Sequence, residues 1–253
     1  MAASDQQVPR NLALDLVRGL AALGVAVYHY LHWATGRQVE SLGTFTVYVF
    51  FILSGLTMMY VYAASFRDGI SPGMARTFYL RRFARLFPLL AAVSVASLVV
   101  NAVILHMSAP DEAARTLLTA SGLFGLHMPG FLAIAPGSWS LGIEAIFYAV
   151  FPVVAMAAGR ARLSTLVAVV GGLLIAQHAL LYLLRDMLAD YQRFWDYYTS
   201  PLTFAPFFAI GILAYRVKLP IGAMNLLVAL ALLAALGLFS VFVHEELFGD
   251  QAA

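Results

Sequence analysis

Apolar residues run along this chain in blocks of about twenty, and the blocks fall at 12–32, 44–64, 87–107, 138–158, 163–184 and 221–243. Each is long enough to cross a hydrocarbon core about 30 Å thick as an α-helix. A shorter block, SPLTFAPFFAIGILAY at 200–215, reads as a seventh crossing interrupted by Pro206 and Gly211. Residues 116–127 read as a partial or re-entrant helix. None of the blocks alternates in the ten-residue strands of a membrane barrel, so the pattern predicts an all-α polytopic transmembrane bundle of about seven spans. Between the blocks, a loop of about twenty residues ends in FYLRRFARLFP, with Pro88 at a helix start or kink. The aromatic stretch RDMLADYQRFWDYYTS at 185–200 predicts an interfacial helix. Residues 1–9 are expected to be a disordered cytoplasmic N-terminus, 10–245 the transmembrane domain and 246–253 a polar tail. The first block is too long and too charged for a cleavable signal peptide.

Composition agrees. Of 253 residues, 62% are hydrophobic and 11% charged, with a mean hydropathy of +0.85, whereas soluble domains carry about 25% charge. With no cysteine, disulfides, thiolate metal sites and a cysteine nucleophile are excluded. The placement of basic residues says more than the net charge. With residue 1 in the cytoplasm, the inner segments hold Arg10, Arg67, Arg76, Arg81, Arg82, Arg85, Arg160, Arg162, Arg216 and Lys218. The outer ones hold Arg37, Arg115, Arg185 and Arg193. That asymmetry predicts a multi-pass protein of an inner or plasma membrane with its N-terminus inside. The bilayer is then the partner that the basic residues mark, and no nucleic-acid partner is expected.

Within the first block, Arg18 and His29 stand eleven residues apart. Eleven helical steps bring two side chains to within about 20° of each other, roughly 16 Å apart along the axis, so both lie on one stripe. A charge at mid-membrane costs on the order of 2.5–3.5 kcal/mol on insertion scales, and the stripe must therefore face protein or water. Asp15, three residues before Arg18, can pair with it. A buried neutral imidazole can serve as a general base; a packing histidine and a cytoplasmic anchor arginine are the alternatives. Ser140, Glu144 and Tyr148 recur at every fourth position and share a face. Glu144 can orient a histidine or hydrogen-bond an acceptor, or it can simply join helices. Arg81, Arg82 and Arg85 suit phosphate oxygens, although topology and anionic lipid also explain such clusters. Ser94, Ser97 and Asn101 on one block, and Gln177, His178 and Tyr182 on another, are expected to make interhelical hydrogen bonds. The histidines and carboxylates show no metal-ligand spacing, and no metal is expected. There is no G-x-S-x-G elbow and no P-loop.

Four of these segments resemble, in order and with matched spacing, the membrane-bound acyltransferase 3 family. LDLVRGLAALGVAVYHY is similar to its first-helix pattern of an Arg followed after ten residues by a His, and FFILSGLTMMY to its FF-x-LSGF helix. RRFARLFP is similar to its RR-x-x-R-x-x-P motif and SWSLGIEAIFYAVFP to its WSL-x-x-E-x-x-FY-x-x-P signature. SPLTFAPFFAIGILAY resembles the later P-x-x-F-x-x-G helix more loosely.

The resemblance covers about residues 10–245. It implies an O-acyltransferase that moves an acyl group, commonly acetyl, from cytoplasmic acyl-CoA to a hydroxyl of a carbohydrate, lipid-linked or related acceptor. It makes His29 the catalytic base or transient acyl carrier, Arg18 its motif partner and Glu144 an active-site carboxylate. Arg81, Arg82 and Arg85 would meet the coenzyme A phosphates, and Asp15, Ser140 and Tyr148 are the candidates for substrate contact. Glu144 is followed by Ala145 where the family often has a second Glu. The family also runs to about ten helices with a late Ser-Tyr…Tyr…His-Pro segment, which nothing after Tyr215 matches. The expectation is thus a C-terminally truncated or minimal member, or a family-derived protein that has lost activity. A carrier or lipid-binding bundle without catalysis is the rival reading.

Overall fold

A computed structural model describes residues 12–35, 40–126, 129–135 and 137–217. Every regular element among them is helical: α1 Leu12–Tyr30, α2 Glu40–Phe66, α3 Pro72–Val99, α4 Ala109–Ser121, α5 Pro129–Leu132, α6 Trp139–Arg160, α7 Leu163–Leu188, α8 Tyr191–Tyr198 and α9 Pro201–Val217. A lipid-facing backbone has no water to bond, so internal helical bonding is the available solution. Six stretches of the described residues are long and apolar enough to cross a membrane: Leu12–Thr35, Leu42–Phe66, Pro72–Ile104, Trp139–Arg160, Leu163–Leu188 and Tyr191–Val217. The expected span at 221–243, the terminal residues 1–9 and the polar tail lie outside the described residues.

Two expectations are corrected. The loop predicted before Pro88 is helix, and α3 runs unbroken through Pro88. Its start is fixed at Ser71, whose hydroxyl accepts a hydrogen bond from the Met74 N–H at 3.3 Å, with Pro72 at the first helical position. From there to Pro88 nothing in the sequence breaks a helix, and a proline within it removes a single hydrogen bond. Likewise α9 is not interrupted: Pro206 sits inside it, and Gly211 serves a contact rather than a break. The expected interfacial segment does form a helix, α8, started by the Asp190 carboxylate accepting from the Arg193 N–H at 3.0 Å.

A helix is present at the expected partial or re-entrant segment, shifted toward the N-terminus. α4 folds back along α3. Glu112, near its start, bonds Asn101, and Gly122, just past its end, lies against the Phe87 ring. Gly122 ends the helix at φ +76°, a conformation that a side chain disfavours. A short 3₁₀ turn at Leu123–Leu126 follows.

The chain forms two compact units. Of the described residues, the first comprises those within 12–62, 163–170 and 206–217. In it Val17 and Ala21 of α1 pack on Val49 and Leu53 of α2, flanked by Leu14, Phe45 and Phe50. α2 and α9 approach backbone to backbone through two glycines: Gly55 faces the Phe208 carbonyl and Gly211 faces the Ile52 carbonyl. Tyr48 stacks on Phe207 beside them, centroids 3.8 Å apart. Small residues at such crossings let dispersion and packing hold helices that lipid does not push together.

The second unit comprises residues 63–162 and 171–205. Its core is a cluster of Phe66, Phe78 and Phe151, all essentially solvent-free, with centroids 5.6–6.3 Å apart. Elsewhere in this unit Gly125 of the 3₁₀ turn meets Gly142 of α6.

Gly211→Leu should therefore be destabilising by about 1–3 kcal/mol, because the added carbons meet the α2 backbone. Gly171→Ala, with open space around it, should be near neutral. Thermal unfolding of the purified protein in detergent measures both, and an equal response at the two sites would contradict the packing account.

Candidate functional site

Polar side chains in each unit gather where the helix geometry directs them. In the first unit, Arg18 and His29 both lie on the uninterrupted α1, so the eleven-residue stripe exists as expected. Leu12, Leu16, Leu20, Leu23, Val27 and Tyr30 form the exposed apolar side of the helix, and Val17 and Ala21 the buried side. Arg18 and His29 lie on the flank between, both half-buried. The Arg18 guanidinium pairs with the Asp15 carboxylate at 3.5 Å, so the predicted pair forms. The His29 ring stacks on Trp33 at 4.8 Å, one turn on, and tilts against Tyr28 at 5.0 Å. Trp33 belongs to a π-helical turn, Leu31–Thr35, that the sequence did not disclose. Such turns shift the register of the side chains that follow and recur at functional sites.

In the second unit, α3 and α6 run antiparallel in contact. Phe78 stacks on Phe151, and the Tyr79 hydroxyl donates to the Ala149 carbonyl at 2.8 Å. The Arg82 guanidinium lies over the Tyr148 ring, 5.5 Å from its centroid. The Tyr148 hydroxyl donates a short hydrogen bond to the Glu144 carboxylate. Arg82, Tyr148 and Glu144 are thus joined in one network. Ser140 shares their helix face without joining it, because its hydroxyl donates back to the Gly137 carbonyl at 2.9 Å at the start of α6.

The arginine cluster is placed differently from the expectation of a surface loop. Because α3 begins at Pro72, Arg82 stands beside the middle of α6 rather than beyond its end. Arg81 and Arg85 are exposed, whereas Arg82 is half-buried.

Other polar expectations divide. Asn101 and Gln177 do bond between helices: Asn101 Nδ2 donates to Glu112 Oε2 at 2.6 Å, and Gln177 Nε2 to the Thr203 carbonyl at 3.1 Å. For Ser94 the bond found is a correction, because it stays within its own helix. Ser94 Oγ donates to the Leu90 carbonyl, and His178 Nδ1 is 2.8 Å from the Leu174 carbonyl oxygen. Short or flexible polar side chains can reach their own preceding turn, which competes with a partner helix. Tyr182 is exposed and carries Arg185 over its ring at 4.6 Å.

Sequence reasoning missed the second polar knot of this unit. Glu112 is 2% exposed, yet it accepts from Asn101 and from Arg115 Nη1 at 2.8 Å. Arg115 Nη2 also donates to the carbonyls of Phe131 and Ala133. The signal was available as an acid and a base three apart in the first turns of a helix. Among the described residues no three His, Asp or Glu side chains form a metal-binding group.

The model of the acyltransferase 3 family, described as an acyltransferase domain, matches residues 11–249. The chain belongs to that family. No curated protein and no solved structure matches it. The protein is therefore a multi-pass membrane acyltransferase, and its family motifs acquire physical meaning. Gly55 of FFILSG is a helix-crossing contact, and the arginine motif and the WSL-x-x-E helix meet at Arg82, Tyr148 and Glu144.

Removing one partner from the Glu112 knot should be costly. Arg115→Met is expected to destabilise the acyltransferase by about 1.5–3 kcal/mol, the range for hydrogen bonds to charged groups. Arg193→Gln, at an exposed position, should change little. Equal thermal midpoints for the two variants would show that the knot carries no stability.

Proposed function

We propose that this acyltransferase takes an acyl group, acetyl foremost, from acyl-CoA on the cytoplasmic side and transfers it to a hydroxyl of a carbohydrate or lipid-linked acceptor. The observation that carries the donor assignment is the exposed pair Arg81 and Arg85, one helical turn apart on α3. They stand alongside a helix only as long as one bilayer crossing, where a guanidinium needs water or an anion, and a nucleotide phosphate supplies the anion. In this reading the acceptor oxygen attacks the thioester carbonyl carbon while its proton passes to the neutral His29 imidazole. The carbon–sulfur bond then breaks, and the leaving thiolate takes that proton from the imidazolium. Arg18, held by Asp15, keeps a positive charge on the same stripe. Glu144 orients the acceptor. Residues 10–245 form the transmembrane domain of an inner or plasma membrane protein, and the N-terminus is cytoplasmic.

Orientation is tested by introducing single cysteines into the cysteine-free chain. With impermeant thiol reagents on intact cells, a cysteine replacing Met107 should react and one replacing Asp68 should not. The reverse pattern would place the donor side outside.

Activity and acceptor are tested together by incubating membranes with labelled acetyl-CoA and extracting the labelled product. His29→Ala should lower turnover about 10²–10⁴-fold at equal amounts of folded protein, as loss of a general base does. Glu144→Gln, which keeps shape and removes charge, should also lower it. Near-normal transfer by His29→Ala would refute the mechanism.

A further inference from the structure

The three arginines of the motif do not share a direction. At 100° per residue, Arg81 and Arg85 lie within about 40° of each other and centre about 80° away from Arg82. Contacts and exposure separate them where angle alone does not, since Arg85 lies within about 20° of Phe78. Phe78, Tyr79 and Arg82 are the residues of α3 that reach Phe151, Ala149 and Tyr148 of α6, whereas Arg81 and Arg85 are exposed.

We propose that Arg82 is a positioning residue for Glu144, acting through Tyr148, and that Arg81 and Arg85 alone form the clamp for the anionic end of the donor. This rests on the acyl-CoA reading above for what Glu144 and the clamp do. The physical argument concerns Glu144. It is the sixth residue of the 22-residue membrane helix α6, about 8 Å in from the helix start, where a carboxylate must still be paired, hydrated or neutralised. The Tyr148 hydroxyl occupies one carboxylate oxygen, which fixes the rotamer of Glu144. The guanidinium over the Tyr148 ring supplies the compensating charge and holds the phenol against rotation. A guanidinium committed to that ring has less freedom to follow a phosphate. The arrangement couples a motif on α3 to a motif on α6 and holds the Glu144 carboxylate in place.

The test uses the full chain purified in detergent, with coenzyme A as the binding probe and acetyl-CoA as the donor. Arg81→Gln and Arg85→Gln should each weaken coenzyme A binding about tenfold, the loss of one charge-assisted contact. Arg82→Gln should leave that affinity within about twofold. It should instead lower kcat about tenfold or more with little change in the KM for acetyl-CoA, and Arg82→Lys should recover much of the loss. A cycle of thermal midpoints over Arg82→Gln, Tyr148→Phe and the double variant should be non-additive, the double falling no further than the more severe single. Arg82→Gln weakening coenzyme A as much as Arg81→Gln does, together with additive midpoints, would overturn the proposal. If the wild-type protein does not bind coenzyme A, the donor reading fails instead. The thermal cycle, which needs no donor, then decides the role of Arg82 by itself, additivity overturning it.

Discussion

A hydrocarbon solvent offers no hydrogen-bond partner, and most of what is specific in this protein follows from that constraint. The backbone answers it with helices, the form of every regular element among the described residues. The side chains answer it in pairs and knots: Asp15 with Arg18, Glu112 with Asn101 and Arg115, and Glu144 with Tyr148 under Arg82. Each of these holds a group that would be costly to place alone at depth. The same constraint explains why Ser94 and His178 turn back on their own helices, where a carbonyl is always within reach.

Because lipid tails are as apolar as the helix surfaces, hydrophobicity cannot choose which helix faces touch. Close packing chooses instead. The α2–α9 contact shows how: two glycines bring backbone against backbone, and an aromatic pair fills the space beside them. Gly125 against Gly142 repeats the device in the other unit. A family motif that ends in glycine is thus read as a crossing point, with a steric reason for the residue.

The side chains proposed to carry the chemistry are ones that the fold leaves half-buried. His29 is held by stacking on Trp33, across the start of a π-helical turn. Glu144 is held by a phenol, and the phenol by a guanidinium. Fixed rotamers of this kind reduce what must be reorganised during a reaction, which is how preorganised sites lower barriers. The α4 return along α3, tied down by the Glu112 knot, places the start of α6 and hence Glu144 relative to α3.

Helix existence was legible in the sequence because a crossing of about 20 apolar residues leaves a signal that no local detail can hide. The stripe of Arg18 and His29 was legible too, since both lie on one helix and its period fixes their angle. So was the pairing of Asp15 with Arg18, and the family itself, because its motifs are short and local. What the sequence could not supply were distances between helices. The separation of Arg82 from Arg81 and Arg85 depends on which face of α3 meets α6, and adjacent arginines look equivalent until a partner is packed against them. Glu112 read as an ordinary first-turn acid, and only the return of α4 along α3 buried it against Asn101. The sequence pattern places the start of α3 too late, because polar residues there read as a loop. A helix needs no apolar residues where a cap, a proline at its first turn and a facing helix already define it.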